Sequence, residues 1–287
     1  MSTLYDVTKQ YAYSTGKTEE YSFLDIEYEH KAGIAWYSMH ASPRPCFTLD
    51  LLGELQHWLE SVDATMASND VRYIVMGSSV PGVFNLGGDL NLIAKMIRNR
   101  DKQGIMDYAM ACIDPLYLAH TGLGRKVTSI SLVEGDALGG GLEAAISTDV
   151  LIAERGAKMG FPEVLFNLFP GMGAYSFLSR KIGAAKAEQM ILSGRLYAAE
   201  ELYDMGLVDV LAEPGMGRQA VYEYVSREDR SQNGFRAFRK AKQHCNPVSY
   251  EELLQITTIW AEAALNISDR DLRMMERLVS RQSSKVM

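Results

Sequence analysis

The spacing of apolar residues changes period several times along the chain, and each change marks an element. Residues 23–30 and 34–40 read as two strands split by Lys31-Ala32-Gly33, a hairpin turn signal. From Thr48 the period becomes helical, with Leu52, Leu55, Leu59 and Val62 on one face and Thr48 or Asp50 as its cap. A strand over 72–77 precedes a loop rich in Ser, Pro and Gly over 78–88. Residues 89–122 are helical with a break near Asp101. A β-branched strand at 127–133, a short helix at 140–147 and a strand at Val150–Glu154 follow. Residues 172–205 are helical with breaks at Gly183 and Gly194, and 207–211 is a short strand. Beyond Met216 the pattern is helical only. Its last two faces are Leu253, Ile256, Trp260, Ala263, Ile267 and then Leu272, Met275, Leu278, Gln282. Alternating strands and helices before a helical end predict an α/β core with a helical C-terminal subdomain. The expected divisions are a polar lead-in over 1–22, the core over 23–212 and the helical part over 213–287.

Composition narrows the function classes. A net charge of −7 argues against a nucleic-acid partner. Cys46, Cys112 and Cys245 are odd in number and far apart, so neither a disulfide framework nor a metal knuckle is expected. Residues 1–22 lack an apolar segment and no run reaches spanning length, so no export signal and no membrane span are expected. A cytoplasmic location is the expectation.

The candidate chemistry lies in three glycine turns that each open a helix. Glu143 stands in EGDALGGGLEAAIS (134–147), and Glu163 stands in FPEVLFNLFPGMGAYS (161–176). A strand that ends in glycines and opens a helix leaves peptide N–H groups pointing at one spot. Carboxylates beside such donors suit proton transfer next to a developing oxyanion. The third turn, VFNLGGDLNLI (83–93), places Asp89 where it serves better as a helix cap than as an acid. The glycines of 134–147 lack the Gly-x-Gly-x-x-Gly order of a dinucleotide site, although a purely structural turn fits them. Metalloprotease, serine-hydrolase and phosphate-loop motifs are absent. The five histidines lack ligand spacing. Arg236, Arg239, Lys240 and Lys242 read as a solvated helix face, with a dock for an acidic partner or phosphate as the alternative. Met159 and Met172 flank the turns and suit either core filling or an alkyl pocket.

Together the three turns resemble the crotonase (enoyl-CoA hydratase/isomerase) superfamily from about residue 23 onward. The resemblance implies a ββα spiral core, no cofactor and no metal, and assembly as a homotrimer or hexamer through the C-terminal helices. It maps the two carboxylates onto Glu143 and Glu163. It maps the oxyanion donors onto Gly88, after Phe84-Asn85-Leu86-Gly87, and onto Gly140. Longer phrases are similar to one branch, the diffusible signal factor synthases that make cis-2-enoyl fatty acids for quorum sensing. These phrases are Pro43-Arg44-Pro45-Cys46-Phe47, the segment 84–90, the segment 163–173, and Trp260 within 256–260. The Asn-Ala-Leu signature of hydratases that use coenzyme A is replaced by Pro45-Cys46-Phe47-Thr48-Leu49.

That resemblance implies dehydration of a 3-hydroxyacyl thioester on acyl carrier protein, followed by hydrolysis to the free cis-2-enoic acid. Glu163 is the expected base at C2 and Glu143 the acid, an assignment the residues leave open. Leu86, Gly87, Leu138, Phe169, Met172, Gly173 and Trp260 are the expected substrate contacts, with a plain core role equally open for Trp260. A regulatory sensor protein is a further possible partner. The rival readings are a 2-enoyl-CoA hydratase or isomerase, and a binding module of the same fold.

Overall fold

The computed structural model describes residues 21–69, 71–125 and 127–286, so most of the expected lead-in lies outside the described residues. Continuous apolar runs build the larger sheet. β1 (Leu24–Glu29) and β2 (Ile34–Met39) form the expected hairpin, turned at Gly33 with φ 64°. β3 (Tyr73–Ser78), β5 (Thr128–Val133), β7 (Val150–Glu154) and β10 (Val210–Ala212) add to β2 in parallel, in the order β1-β2-β3-β5-β7-β10. Every residue of β5 and β7 is buried, as both-face coverage of a parallel sheet demands.

A second sheet escaped the sequence pattern. β4 (Val83–Asn85), β6 (Asp136–Leu138), β8 (Lys158–Gly160) and β9 (Leu196–Ala198) pair in that order. Each is three residues long, too short to show a period, and each lies in a stretch rich in glycine or polar residues. β3–β4, β5–β6 and β7–β8 each pass from the larger sheet to the smaller and on to a helical segment, which gives the ββα spiral. β4 therefore lies inside the expected 78–88 loop, and β9 interrupts the expected 172–205 helix.

That helical stretch is α5 (Ala174–Ile182), α6 (Ala184–Ser193) and α7 (Ala199–Asp204), broken at Gly183 and Gly194 as expected. The expected 207–211 strand shifts to β10. Upstream, α1 (Leu49–Asn69) is capped by Thr48, whose Oγ1 accepts the Leu51 N–H. The break near Asp101 separates α2 (Leu90–Arg98) from α3 (Lys102–His120), and Asp101 caps the latter. α4 (Gly140–Ser147) follows β6.

The C-terminal helices are α8 (Gly217–Asp229), α9 (Gln232–Cys245), α10 (Tyr250–Ala264) and α11 (Asp269–Val286). α8 covers one face of the larger sheet with Val221, Tyr224 and Val225. The buried stripe of α10 is Leu253, Thr257, Ala261 and Ala264, rotated from the expected face, so Ile256, Trp260, Ala263 and Ile267 are half-buried. On α11, Leu272, Met275 and Val279 are buried, and the Gln282 side chain lies outside the description. Arg239 of α9 is not part of a solvated face. It pairs with buried Glu228 and donates to Tyr224 Oη and Thr128 Oγ1, whereas Arg236, Lys240 and Lys242 are exposed. Among the described residues no helix is long and apolar enough to cross a membrane.

Candidate active site

Three backbone turns meet because glycine lets them approach closely. A Cβ on Gly141 would collide with the Asn85 carbonyl, and one on Gly87 would stand 2.8 Å from Leu138 O and 3.0 Å from Gly140 N. Gly139 takes φ 52° and ψ −125°, a conformation open to glycine, and so turns β6 into α4. The N–H of Gly140 thus begins a helix, and a Cβ on Gly140 would lie only 3.6 Å from Gly88 N. Among the described residues neither the Gly88 nor the Gly140 N–H donates a hydrogen bond.

Both carboxylates reach the same cleft. Its walls include Gly88, Ile93, Tyr108, Cys112, Gly140, Glu143, Glu163, Phe166, Leu168, Met172, Trp260 and Met275. Glu143 is 1% exposed, and its Oε1 accepts the Met172 N–H at 2.7 Å and the Ala174 N–H at 2.9 Å. Burial raises its carboxyl to about 7, with those two bonds pulling the other way. Glu163 comes from a 3₁₀ turn (Pro162–Phe166) beside Gly139, where a Cβ would strike its carboxylate. Its Oε2 is buried without a hydrogen-bond partner among the described residues. Burial and then the charge of Glu143 raise it to about 8.

Asp89 is a cap rather than an acid. Its Oδ1 accepts from Asn91 N and Leu92 N and pairs at 2.8 Å with Arg44, whose side chain is 8% exposed. Of the expected contacts, Met172 and Trp260 line the cleft. Trp260 packs on Gly171, whose carbonyl accepts from Thr257 Oγ1 at 3.0 Å. Leu86 and Leu138 instead form a small cluster with Val83, and Gly87 serves the close approach of backbones. Gly173 turns at φ 109° into α5 against Leu253. Phe169 is half-buried off the wall; Asn167, in the left-handed region at φ 61°, reverses the chain so that Phe166 and Leu168 face inward. Met159 is buried in β8 away from the cleft. Tyr108, Ile93, Cys112 and Met275 are not among the expected site residues, since helical spacing marks such positions only as core.

A larger groove lies between α4, α5, α8 and α9. Arg180, Lys181 and Arg239 on its walls are paired with Glu252, Asp209 and Glu228. Its carboxylates Asp149 and Asp209 are occupied by the Ser129 and Leu151 N–H groups, which leaves the smaller cleft as the candidate for proton transfer beside an oxyanion.

Comparison with known proteins places the chain within a family. The chain is 34% identical to a mitochondrial methylglutaconyl-CoA hydratase of Rattus norvegicus over 163 residues, 57% of this chain and 50% of that protein. It thus spans about half the length of the curated relatives it matches first. The structure of Pseudomonas aeruginosa DspI superposes with a TM-score of 0.64 at 25% identity, covering 82% of this chain and 93% of that one. An enoyl-CoA hydratase from Bacillus halodurans shares the fold at a TM-score of 0.76 and 18% identity, over 89% and 100% of the two chains. With the enoyl-CoA hydratase/isomerase model matched over residues 29–255, through all three turns and both glutamates, the chain belongs to the enoyl-CoA hydratase/isomerase family.

Proposed function

We propose that this chain dehydrates a 3-hydroxyacyl thioester carried on acyl carrier protein and then hydrolyses the thioester, releasing a cis-2-enoic acid of the diffusible signal factor type. The observation that carries the reading is one cleft holding buried Glu143 and half-buried Glu163 beside two peptide N–H groups that donate no hydrogen bond among the described residues. The thioester oxygen sits between the Gly88 and Gly140 amides, and proton removal at C2 builds enolate charge on it. Each such donor contributes on the order of 3 kcal/mol to lowering the barrier.

The carboxylates divide the proton work. Glu143 holds two N–H donors and Glu163 holds none on its buried Oε2, so near neutral pH the resting proton sits on Glu163. With Glu163 facing C2, that resting state suits water addition. Elimination starts from the swapped state, with Glu163 ionised as base and Glu143 protonated to release the 3-hydroxyl. Burial raises both carboxyls into the neutral range, so either can hold the shared proton. Both directions are therefore open to the pair. The same amides would hold the tetrahedral oxyanion when water attacks the thioester carbonyl. Leu168, Phe166, Trp260 and Met275 offer the acyl tail an apolar wall.

The phrases shared with the signal-factor synthases and the replaced Asn-Ala-Leu signature favour the carrier protein. The relatives named as CoA hydratases favour the second reading, a 2-enoyl-CoA hydratase or isomerase of fatty-acid metabolism. Incubation with 3-hydroxyacyl carrier protein and separately with crotonyl-CoA, with products identified by mass spectrometry, separates the two. Free cis-2-enoic acid from the carrier protein supports the synthase. A trans product, or thioester never hydrolysed, leaves the hydratase.

A further inference from the structure

The peptide unit that presents the Gly88 N–H is held on three sides, and a buried tyrosine completes the hold. Its carbonyl, that of Gly87, accepts the Phe47 N–H at 2.8 Å. The preceding unit donates Gly87 N–H to Asn85 Oδ1 at 2.8 Å. The following unit donates Asp89 N–H to Tyr108 Oη at 2.8 Å. That hydroxyl donates in turn to the Phe47 carbonyl at 2.7 Å. Phe47 and Gly88 thus pair as an isolated parallel bridge with one direct rung, while the other runs through a phenol.

Tyr108 reaches this place from the middle of α3 and is 3% exposed. Its oxygen would lie 3.3 Å from a Cβ on Gly88, so it also packs against the donor residue itself. The hydroxyl both gives and accepts, which phenylalanine cannot do. Without it, the part-buried Asp89 N–H and the buried Phe47 carbonyl lose the partner they share. They can satisfy one another only by closing the gap the oxygen fills. A direct bond is shorter than two bonds in series through the phenol, so the turn would draw in towards Phe47. Oxyanion donors tolerate about 0.5 Å.

We propose that Tyr108 is a positioning residue for the oxyanion hole: its hydroxyl spaces the Gly88 turn from Phe47 so that the Gly88 N–H converges with that of Gly140. The proposal rests on the reading of those two amides as the hole. It is tested with Tyr108→Phe and the 4-dimethylaminocinnamoyl thioester of pantetheine, whose absorption moves to the red when its carbonyl is polarised. The wild-type protein should shift the band. Tyr108→Phe should bind the probe within about threefold yet lose at least half of the shift, with kcat down about 10- to 100-fold and KM little changed. A merely structural tyrosine would lower the melting temperature and leave the shift of the folded protein intact. A full shift and full kcat in Tyr108→Phe overturn the positioning role alone. Absence of any shift with the wild type overturns the oxyanion reading and the proposal with it. If Tyr108→Phe does not fold, 3,5-difluorotyrosine at position 108 keeps the shape and weakens the acceptor. An intermediate shift is then expected, and an unchanged one overturns the proposal.

Discussion

Glu163→Gln should stabilise the protein at pH 8 and leave it nearly unchanged at pH 5. The Glu163 Oε2 is buried without a partner among the described residues, and burial and the Glu143 charge raise its carboxyl from 4.5 to about 8. Because the folded value lies above the unfolded one, the folded state holds the proton more tightly. The resulting stability is fully present below pH 4.5 and is lost as pH rises through the folded value. The full gap corresponds to roughly 5 kcal/mol, of which about 4 is expressed at pH 8 where the group is half ionised, and coupling to Glu143 reduces this to roughly 2–4 kcal/mol. Glutamine has the shape of the protonated acid and carries no titration, so the variant escapes the loss. For a chain of this size each kcal/mol moves the melting temperature by about 2 °C, giving a rise of roughly 4–8 °C at pH 8. Calorimetry at the two pH values checks it. Equal changes at both, or a loss of stability at pH 8, would refute the reasoning. Glu143→Gln should show the same sign with a smaller size, because two peptide N–H groups already stabilise that carboxylate.

Gly140→Ala would place its methyl 2.9 Å from Met172 Sδ and 3.6 Å from Gly88 N, crowding the proposed hole. We expect kcat to fall about 100-fold with a melting temperature within a few degrees of wild type, read by steady-state kinetics and calorimetry. Asp89→Ala removes a helix cap and strands buried Arg44, so urea denaturation should register a loss of roughly 2–4 kcal/mol. Asp89→Asn keeps the cap and should lose less.

The sequence exposed the parts of the fold whose residues repeat. β2, β3, β5 and β7 are apolar enough to read as buried strands, and Gly33, Asp101, Gly183 and Gly194 punctuate the chain where the pattern says they should. β4, β6, β8 and β9 were invisible because three residues cannot display alternation, and their pairing partners are distant in sequence. At the site, Glu143 and Glu163 stand out because each acid lies beside a glycine turn, Gly88 and Gly140 follow from the family resemblance, and the structure brings all four to one cleft. Tyr108 does not stand out, since a buried aromatic on a helix carries the same pattern whether its hydroxyl is idle or bridges two backbones. Leu86 and Leu138 were expected at the cleft from nearness in sequence, but the second sheet turns them into a separate cluster with Val83.

The central claim is enolate chemistry at C2, and it needs no assumption about the carrier or the leaving group. Saturated hexanoyl carrier protein and hexanoyl-CoA, incubated in deuterium oxide, lack a 3-hydroxyl to eliminate and report C2 proton transfer alone. The wild type should incorporate deuterium at C2 of at least one of them. Glu163→Gln should slow this at least about 100-fold, while Glu143→Gln retains it within about tenfold despite losing dehydration. Exchange by Glu163→Gln at the wild-type rate, or no exchange by the wild type on either thioester, would contradict the account.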